Sequence, residues 1–252
     1  MKSDAKSTIE TGKAILGIEL GSTRIKAVLI DQENKPIAQG NHTWENQLVD
    51  GLWTYSIEAI WSGLQDCYAD LRSNVKNLYG IEIENLAAIG VSAMMHGYMP
   101  FNAKEEILVP FRTWRNTNTG RAAAALSDLF VYNIPLRWSI SHLYQAILDN
   151  EAHVKDIDFL TTLAGYVHWQ LTGEKVLGIG DASGMLPIDP ATHNYSAEMV
   201  AKFDKLIAPN QYNWTLQDIL PKVLSAGESA GVLTPEGSKK LDASGHLKAG
   251  IP

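Results

Sequence analysis

The strongest constraint on this chain is a pair of short apolar runs set around a glycine turn. Residues 14–19 (Ala-Ile-Leu-Gly-Ile-Glu) and 25–30 (Ile-Lys-Ala-Val-Leu-Ile) flank Leu20-Gly21-Ser22-Thr23-Arg24. Aliphatic and β-branched runs joined by a small turn read as a β-hairpin. A polar turn at residues 31–35 leads to a third such run at 36–41, so the chain opens as an antiparallel meander.

The next stretch has a different period. Ile60, Trp61, Leu64, Cys67, Leu71 and Val75 lie on the stripe of an amphipathic helix, which Gly80 is placed to stop. Residues 86–92 form a near-continuous apolar strand, as expected in a sheet covered on both faces. Meander, helix and strand together indicate an α/β class with helices packed on a mixed sheet. Further along, Ser141 is placed to cap a helix at 143–150, and Gly173 to close one through 167–171. Ser196 suits the start of a helix over 197–207, with Pro209 just beyond it, and Thr234-Pro235 suits another helix start.

Composition excludes several function classes. The chain has 252 residues, 45% of them hydrophobic, and a formal net charge of −7. Its acidic balance, with no basic cluster, argues against nucleic acid and anionic lipid as partners. The one cysteine, Cys67, excludes an internal disulfide or a multi-cysteine metal site. No apolar run approaches the ~18 residues of a membrane span. Residues 1–13 are polar and of mixed charge, so they read as a flexible leader without a signal-peptide core, and a cytoplasmic location is expected. Thr11-Gly12-Lys13-Ala14 lacks the residues of a P-loop, and the glycines of 178–184 miss the dinucleotide spacing.

Four segments carry chemistry. In residues 17–26, a carboxylate (Glu19) ends one strand and the turn Gly21-Ser22-Thr23 comes directly after it. Gly21 leaves backbone N–H groups open to phosphate oxygens, Arg24 or Lys26 neutralises charge, and Glu19 suits a magnesium ion or its water shell. A plain hairpin accounts for the same residues. Met95-His96-Gly97 ends the apolar strand, where open α/β sheets bind ligands; a core histidine is the alternative. Trp114-Arg115-Asn116 offers an aromatic face beside amide and guanidinium donors, which suits a polyol or equally a half-buried tryptophan. Asp181 lies in the tight turn 180–186, either accepting from sugar hydroxyls or forming a structural Asx-turn.

In this order the four segments resemble the N-terminal lobe of the FGGY family of carbohydrate kinases, part of the wider sugar kinase, heat-shock and actin ATPase superfamily. The resemblance spans residues 15–252, with Met95-His96-Gly97 and Asp181-Ala182-Ser183-Gly184 its more specific parts. It implies a ribonuclease H-like (actin-like ATPase) domain, with 14–252 as the sugar-binding lobe. It also implies ATP-dependent phosphorylation of a small sugar, a ketopentose such as xylulose or ribulose, with ATP and Mg as cofactors. By the same resemblance, Glu19 positions magnesium and phosphate, and Gly21, Ser22, Thr23, Arg24 and Lys26 hold the nucleotide phosphates. Met95, His96, Trp114, Arg115, Asn116 and Asp181 contact the sugar.

Two departures from the family pattern stand out. Glu19 replaces the usual aspartate, moving the carboxylate by about 1.5 Å. Arg115-Asn116 succeeds Trp114 where a related xylulokinase tends to have Asn-Asp, so the sugar need not be xylulose. In related kinases, residues 250–252 would lead to a glycine-rich turn bearing the aspartate base, then to a nucleotide-binding lobe. This chain alone is therefore expected to be an inactive lobe that self-associates through apolar surface. A non-catalytic sugar-binding module and an actin-like ATPase without a sugar substrate are the competing readings.

Overall fold

Burial alternates with period two along the first strands, and this fixes the sheet. The computed structural model describes residues 2–252. In β1 (Ile15–Leu20), Leu16, Ile18 and Leu20 are buried, while Gly17 and Glu19 face outward. In β2 (Arg24–Ile30), Ile25, Ala27 and Leu29 are buried, while Arg24 and Lys26 face outward. β2 pairs antiparallel with both β1 and β3 (Pro36–Thr43). The meander is as the sequence predicts.

A small hairpin, β4 (Gln47–Val49) and β5 (Leu52–Thr54), precedes a long helix, Ile57–Tyr79. This helix is α2, because a shorter one, α1 (Lys2–Glu10), comes before β1. Ser56 caps α2 by accepting from the Ala59 N–H, and Gly80 ends it in the left-handed conformation (φ 71°). α2 lies close on β3, because a Cβ at Gly40 would sit 2.2 Å from the Cys67 carbonyl oxygen. The chain then forms β6 (Ala88–Ala93), parallel to β1, giving the strand order β3-β2-β1-β6.

The structure departs from the sequence expectations at two places in this half. β6 is not covered on both faces: Ile89, Val91 and Ala93 pack against the core, whereas Gly90 and Ser92 are exposed beside Gly17 and Glu19. The outward positions are small or polar, so the apolar run owes its length to alanine and glycine. The expected flexible leader is, from residue 2, the helix α1, and Ala5 and Ile9, one turn apart, are both buried, Ile9 in the sheet core. Met1 lies outside the described residues.

Beyond β6 the chain builds a second core. β7 (Met99–Phe101), α3 (Gly120–Phe130), α4 (Ser139–Leu148), β8 (Phe159–Thr161) and α5 (Leu163–Thr172) succeed one another in order. Next come β9 (Val176–Gly178), α6 (Ile179–Ala182), the short pair β10 (Ile188–Asp189) and β11 (Asn194–Tyr195), and α7 (Ala197–Ile207). The last elements are α8 (Leu216–Ile219), β12 (Lys222–Leu224) and α9 (Pro235–Leu241). Ser196, Thr234 and Gly173 serve as the caps their positions predict. Ser141 does not. α4 begins at Ser139, and the Ser141 hydroxyl donates to the Pro135 carbonyl instead.

Leu126, Leu143, Phe203 and Trp214 belong to this helical core, whereas Tyr166 and Trp169 of α5 join the sheet core. The segment after β6 crosses between them: Tyr98 is in the helical core, Met99 and Phe101 in the other. Among the described residues no helix is long and apolar enough to cross a membrane.

Candidate functional site

The turn after β1 is held by its carbonyls. Gly21 O accepts from the Trp44 indole N–H (2.7 Å), Ser22 O from the Tyr55 hydroxyl, and Thr23 O from the Trp44 backbone N–H (3.3 Å). Trp44 and Tyr55 stack at 4.1 Å, which fixes both donors. With every carbonyl turned onto the body, the N–H groups of Ser22 and Thr23 donate to no acceptor among the described residues. Two adjacent free amides are donors of the kind that can bind an anion. A Cβ on Gly21 would press to 3.0 Å from Arg24 O, so glycine keeps the turn tight.

Glu19, Lys26 and Ser92 lie side by side on the open sheet face: Glu19 is opposite Lys26 on one flank and Ser92 on the other. Among the described residues no group of three or more His, Cys, Asp or Glu is placed to hold a metal. Glu19 belongs to no such group. Such a donor fits a magnesium ion held mostly by nucleotide oxygens and water, not a protein cage.

β6 brings the second segment to the first. The Met94 N–H donates to Leu20 O at 2.9 Å, so the turn after β6 starts beside the Gly21–Thr23 turn. His96 has φ 68° and Gly97 φ 113°. A Cβ on Gly97 would lie 2.6 Å from the Phe111 ring and 2.9 Å from Arg112 O. Ser139, fully buried at the start of α4, donates to Gly97 O at 2.6 Å and fixes this left-handed corner.

The fourth segment meets the second. His96 Nδ1 is 3.4 Å from Gly184 O, and a Cβ on Gly184 would collide with the imidazole at 2.6 Å. Burial lowers the His96 pKa, with the Arg137 charge adding to it against the Gly184 carbonyl, so the ring is neutral at neutral pH. Asp181 accepts from the Thr162 hydroxyl at 2.5 Å; burial raises its pKa and that hydrogen bond lowers it. Met95 and Asp181 both line a groove of about 860 Å³ along the outer edge of β6, together with Ser92, His168 and Thr172. At one end of this edge the Ile89 N–H donates to Pro252 O at 2.8 Å.

The third segment differs from expectation. Asn116 is 4% exposed, and its amide is spent on the backbone of Trp53: Oδ1 accepts from the Trp53 N–H at 2.9 Å, and Nδ2 donates to Trp53 O at 2.8 Å. It clamps the β4–β5 hairpin and has no face left for a ligand. Arg115 stacks over the Trp53 ring at 3.8 Å, and Trp114 lies 5.8 Å from the Arg137 guanidinium. Trp114, Arg115 and Asn116 do not line the β6 groove.

Of the residues singled out in the sequence, Met95 and Asp181 share a groove and Gly21–Thr23 form a turn with free amides. Trp44, Trp53, Tyr55, Ser139 and Thr162, which hold these parts in place, are not among those singled out. The close spacing of Trp44, Trp53 and Tyr55, between strand and helix, is the signal that points to three of them.

Known proteins share this outline. Residues 14–252 match the FGGY family of carbohydrate kinases, N-terminal domain. A xylulose kinase of Escherichia coli (strain K12) is 20% identical over 231 residues, covering 89% of this chain and 45% of that protein. A solved xylulose kinase from Rhodospirillum rubrum superposes with a TM-score of 0.77 at 18% identity, covering 95% of this chain and 48% of that one. A gluconate kinase from Lactobacillus acidophilus gives 0.74 at 20% identity, covering 91% and 45%. The shared architecture is the actin-like ATPase fold. The chain spans about half the length of the curated relatives it matches.

Proposed function

Since the chain belongs to the FGGY family of carbohydrate kinases, residues 14–252 being its N-terminal domain, we propose that it is the sugar-binding half of an ATP-dependent kinase for a small polyol or ketose. A ketopentose such as xylulose or ribulose is the favoured substrate. The observation that carries this reading is the turn Gly21–Thr23, whose carbonyls are all tied down and whose Ser22 and Thr23 amides are free. It adjoins, through the Met94–Leu20 hydrogen bond, the corner that carries Met95 and His96.

Phosphoryl transfer needs positioning and charge stabilisation more than covalent help from the protein. In this reading the sugar lies along Met95, with Asp181 accepting from its hydroxyls and neutral His96 exchanging a hydrogen bond with another. The amides of Ser22 and Thr23 hold phosphate oxygens. Glu19 is the carboxylate that would hold ATP-bound magnesium, which would supply positive charge to the phosphates. Arg24 and Lys26, on the same open face as Glu19, add positive charge for the nucleotide.

The test is a ligand panel read by thermal unfolding, using D-xylulose, L-ribulose, D-gluconate and glycerol. A ligand at 100 times its dissociation constant adds about 2.7 kcal/mol. A ketopentose is expected to stabilise most, and these 252 residues to release no sugar-dependent ADP from ATP. No response to any sugar would sink the proposal. Binding without phosphorylation, even in a chain carrying the second half of a kinase, would make the protein a sugar-binding module.

A further inference from the structure

We propose that Arg115 serves the phosphate turn and not the sugar pocket: its guanidinium, stacked on Trp53, adds a further positive charge, besides Arg24 and Lys26, to the anion site made by the Ser22 and Thr23 amides. This rests on the reading of Gly21–Thr23 as a phosphate-binding turn.

Arg115 is held in place by its surroundings. Its neighbours grip one residue of β5 from several sides: the Thr113 N–H donates to Trp53 O at 3.1 Å, and both ends of the Asn116 amide bond the Trp53 backbone. The guanidinium lies on the Trp53 ring at 3.8 Å, a stack that restrains a normally flexible side chain without neutralising it.

β5 then leads straight to the turn. Two residues after Trp53, the Tyr55 hydroxyl donates to Ser22 O, and the charge of Arg115 is felt at that hydroxyl, where it opposes the effect of burial. Arg115 is thus wired, through Trp53 and Tyr55, to the residue whose amide is free.

The guanidinium also has no counter-charge of its own. Arg72, Arg112 and Arg121 each meet a carboxylate, whereas Arg115 forms no ion pair among the described residues. Nor does Arg115 line the groove that Met95 and Asp181 share, where a sugar contact belongs. A guanidinium held on Trp53, next along the chain to the tyrosine that grips the Ser22 carbonyl, is a group able to bind phosphate oxygens through charge-assisted hydrogen bonds.

The experiment separates phosphate from sugar. Tripolyphosphate, which carries no nucleoside, and D-xylulose are titrated separately against the 252-residue chain and its Arg115→Gln, Arg115→Lys and Arg121→Gln forms. Calorimetry reads affinity, and near-ultraviolet circular dichroism confirms that each variant is folded. Arg115→Gln is expected to weaken tripolyphosphate roughly tenfold or more and to leave xylulose within about twofold. Arg115→Lys should retain part of the phosphate affinity, and Arg121→Gln, which removes the same unit of charge elsewhere, should retain nearly all of it. The proposal is overturned if wild type does not bind tripolyphosphate, or if Arg115→Gln weakens only xylulose. Loss of phosphate affinity in a protein that ignores xylulose would uphold Arg115 and strike the sugar reading instead.

Discussion

The indole N–H of Trp44 donates to the carbonyl oxygen of Gly21 at 2.7 Å, across 23 residues of sequence. That one bond turns the first peptide of the β1–β2 loop inward. Together with the Tyr55 hydroxyl on Ser22 O, it leaves the next two amides facing out.

Trp44→Phe keeps an aromatic ring to stack on Tyr55 but removes the donor. The carbonyl of Gly21 is only part-buried, so water replaces some of the loss. Stability should fall by about 1 kcal/mol, seen as a lower urea midpoint at unchanged slope. Tripolyphosphate binding should weaken more than stability does.

Gly97→Ala should be among the most disruptive single-methyl changes. The position needs φ 113°, and the added Cβ meets Phe111 at 2.6 Å and Arg112 O at 2.9 Å. Strain and overpacking together should cost about 2–4 kcal/mol. Gly51→Ala, at φ 78° with nothing within 4 Å, isolates the backbone part and should cost about 1 kcal/mol.

One buried histidine and one half-buried one make the fold acid-sensitive. Burial, with Arg112 nearby, lowers His142 to about 3, and neither of its ring nitrogens has a hydrogen-bond partner among the described residues. Burial also lowers His153 to about 4, against the pull of Glu151. Its Nε2 shares a hydrogen bond with the Tyr98 hydroxyl at 2.7 Å, and Nδ1 lies 3.4 Å from Glu151, a contact between a neutral ring and a carboxylate already engaged by Arg112.

Unfolded, both titrate near 6.5. As pH falls from there towards 4, the unfolded chain takes up protons that the folded chain refuses, and stability drops by about 1.4 kcal/mol per pH unit for each. His142→Leu, which loses no hydrogen bond, should flatten the slope measured by denaturation between pH 6.5 and 4.5.

Asp181→Asn tests the proposed sugar contact while keeping the local hydrogen bond. The amide oxygen still accepts from Thr162, so the unfolding midpoint should move little. In the proposed site the substitution turns an acceptor-only carboxylate into a group that also donates, and xylulose affinity should fall by roughly tenfold. An unchanged affinity would remove Asp181 from the sugar site.

The parts of this protein legible in sequence are those that near neighbours decide. The meander comes from period-two burial around Gly21, α2 ends at Gly80 because a left-handed residue is needed there, and α7 starts at Ser196 because its hydroxyl reaches the Met199 N–H. Each rests on contacts within a few residues.

Tertiary structure decided which polar groups are free. Asn116 reads as a ligand donor until Trp53, 63 residues away, takes both ends of its amide. Ser141 reads as a cap until Pro135 O takes its hydroxyl, and residues 2–10 read as a leader until Ile9 finds the sheet core. Backbone conformation is local, set by sterics and by hydrogen bonds a few residues long. The availability of a side chain for chemistry depends on partners that only folding brings within reach.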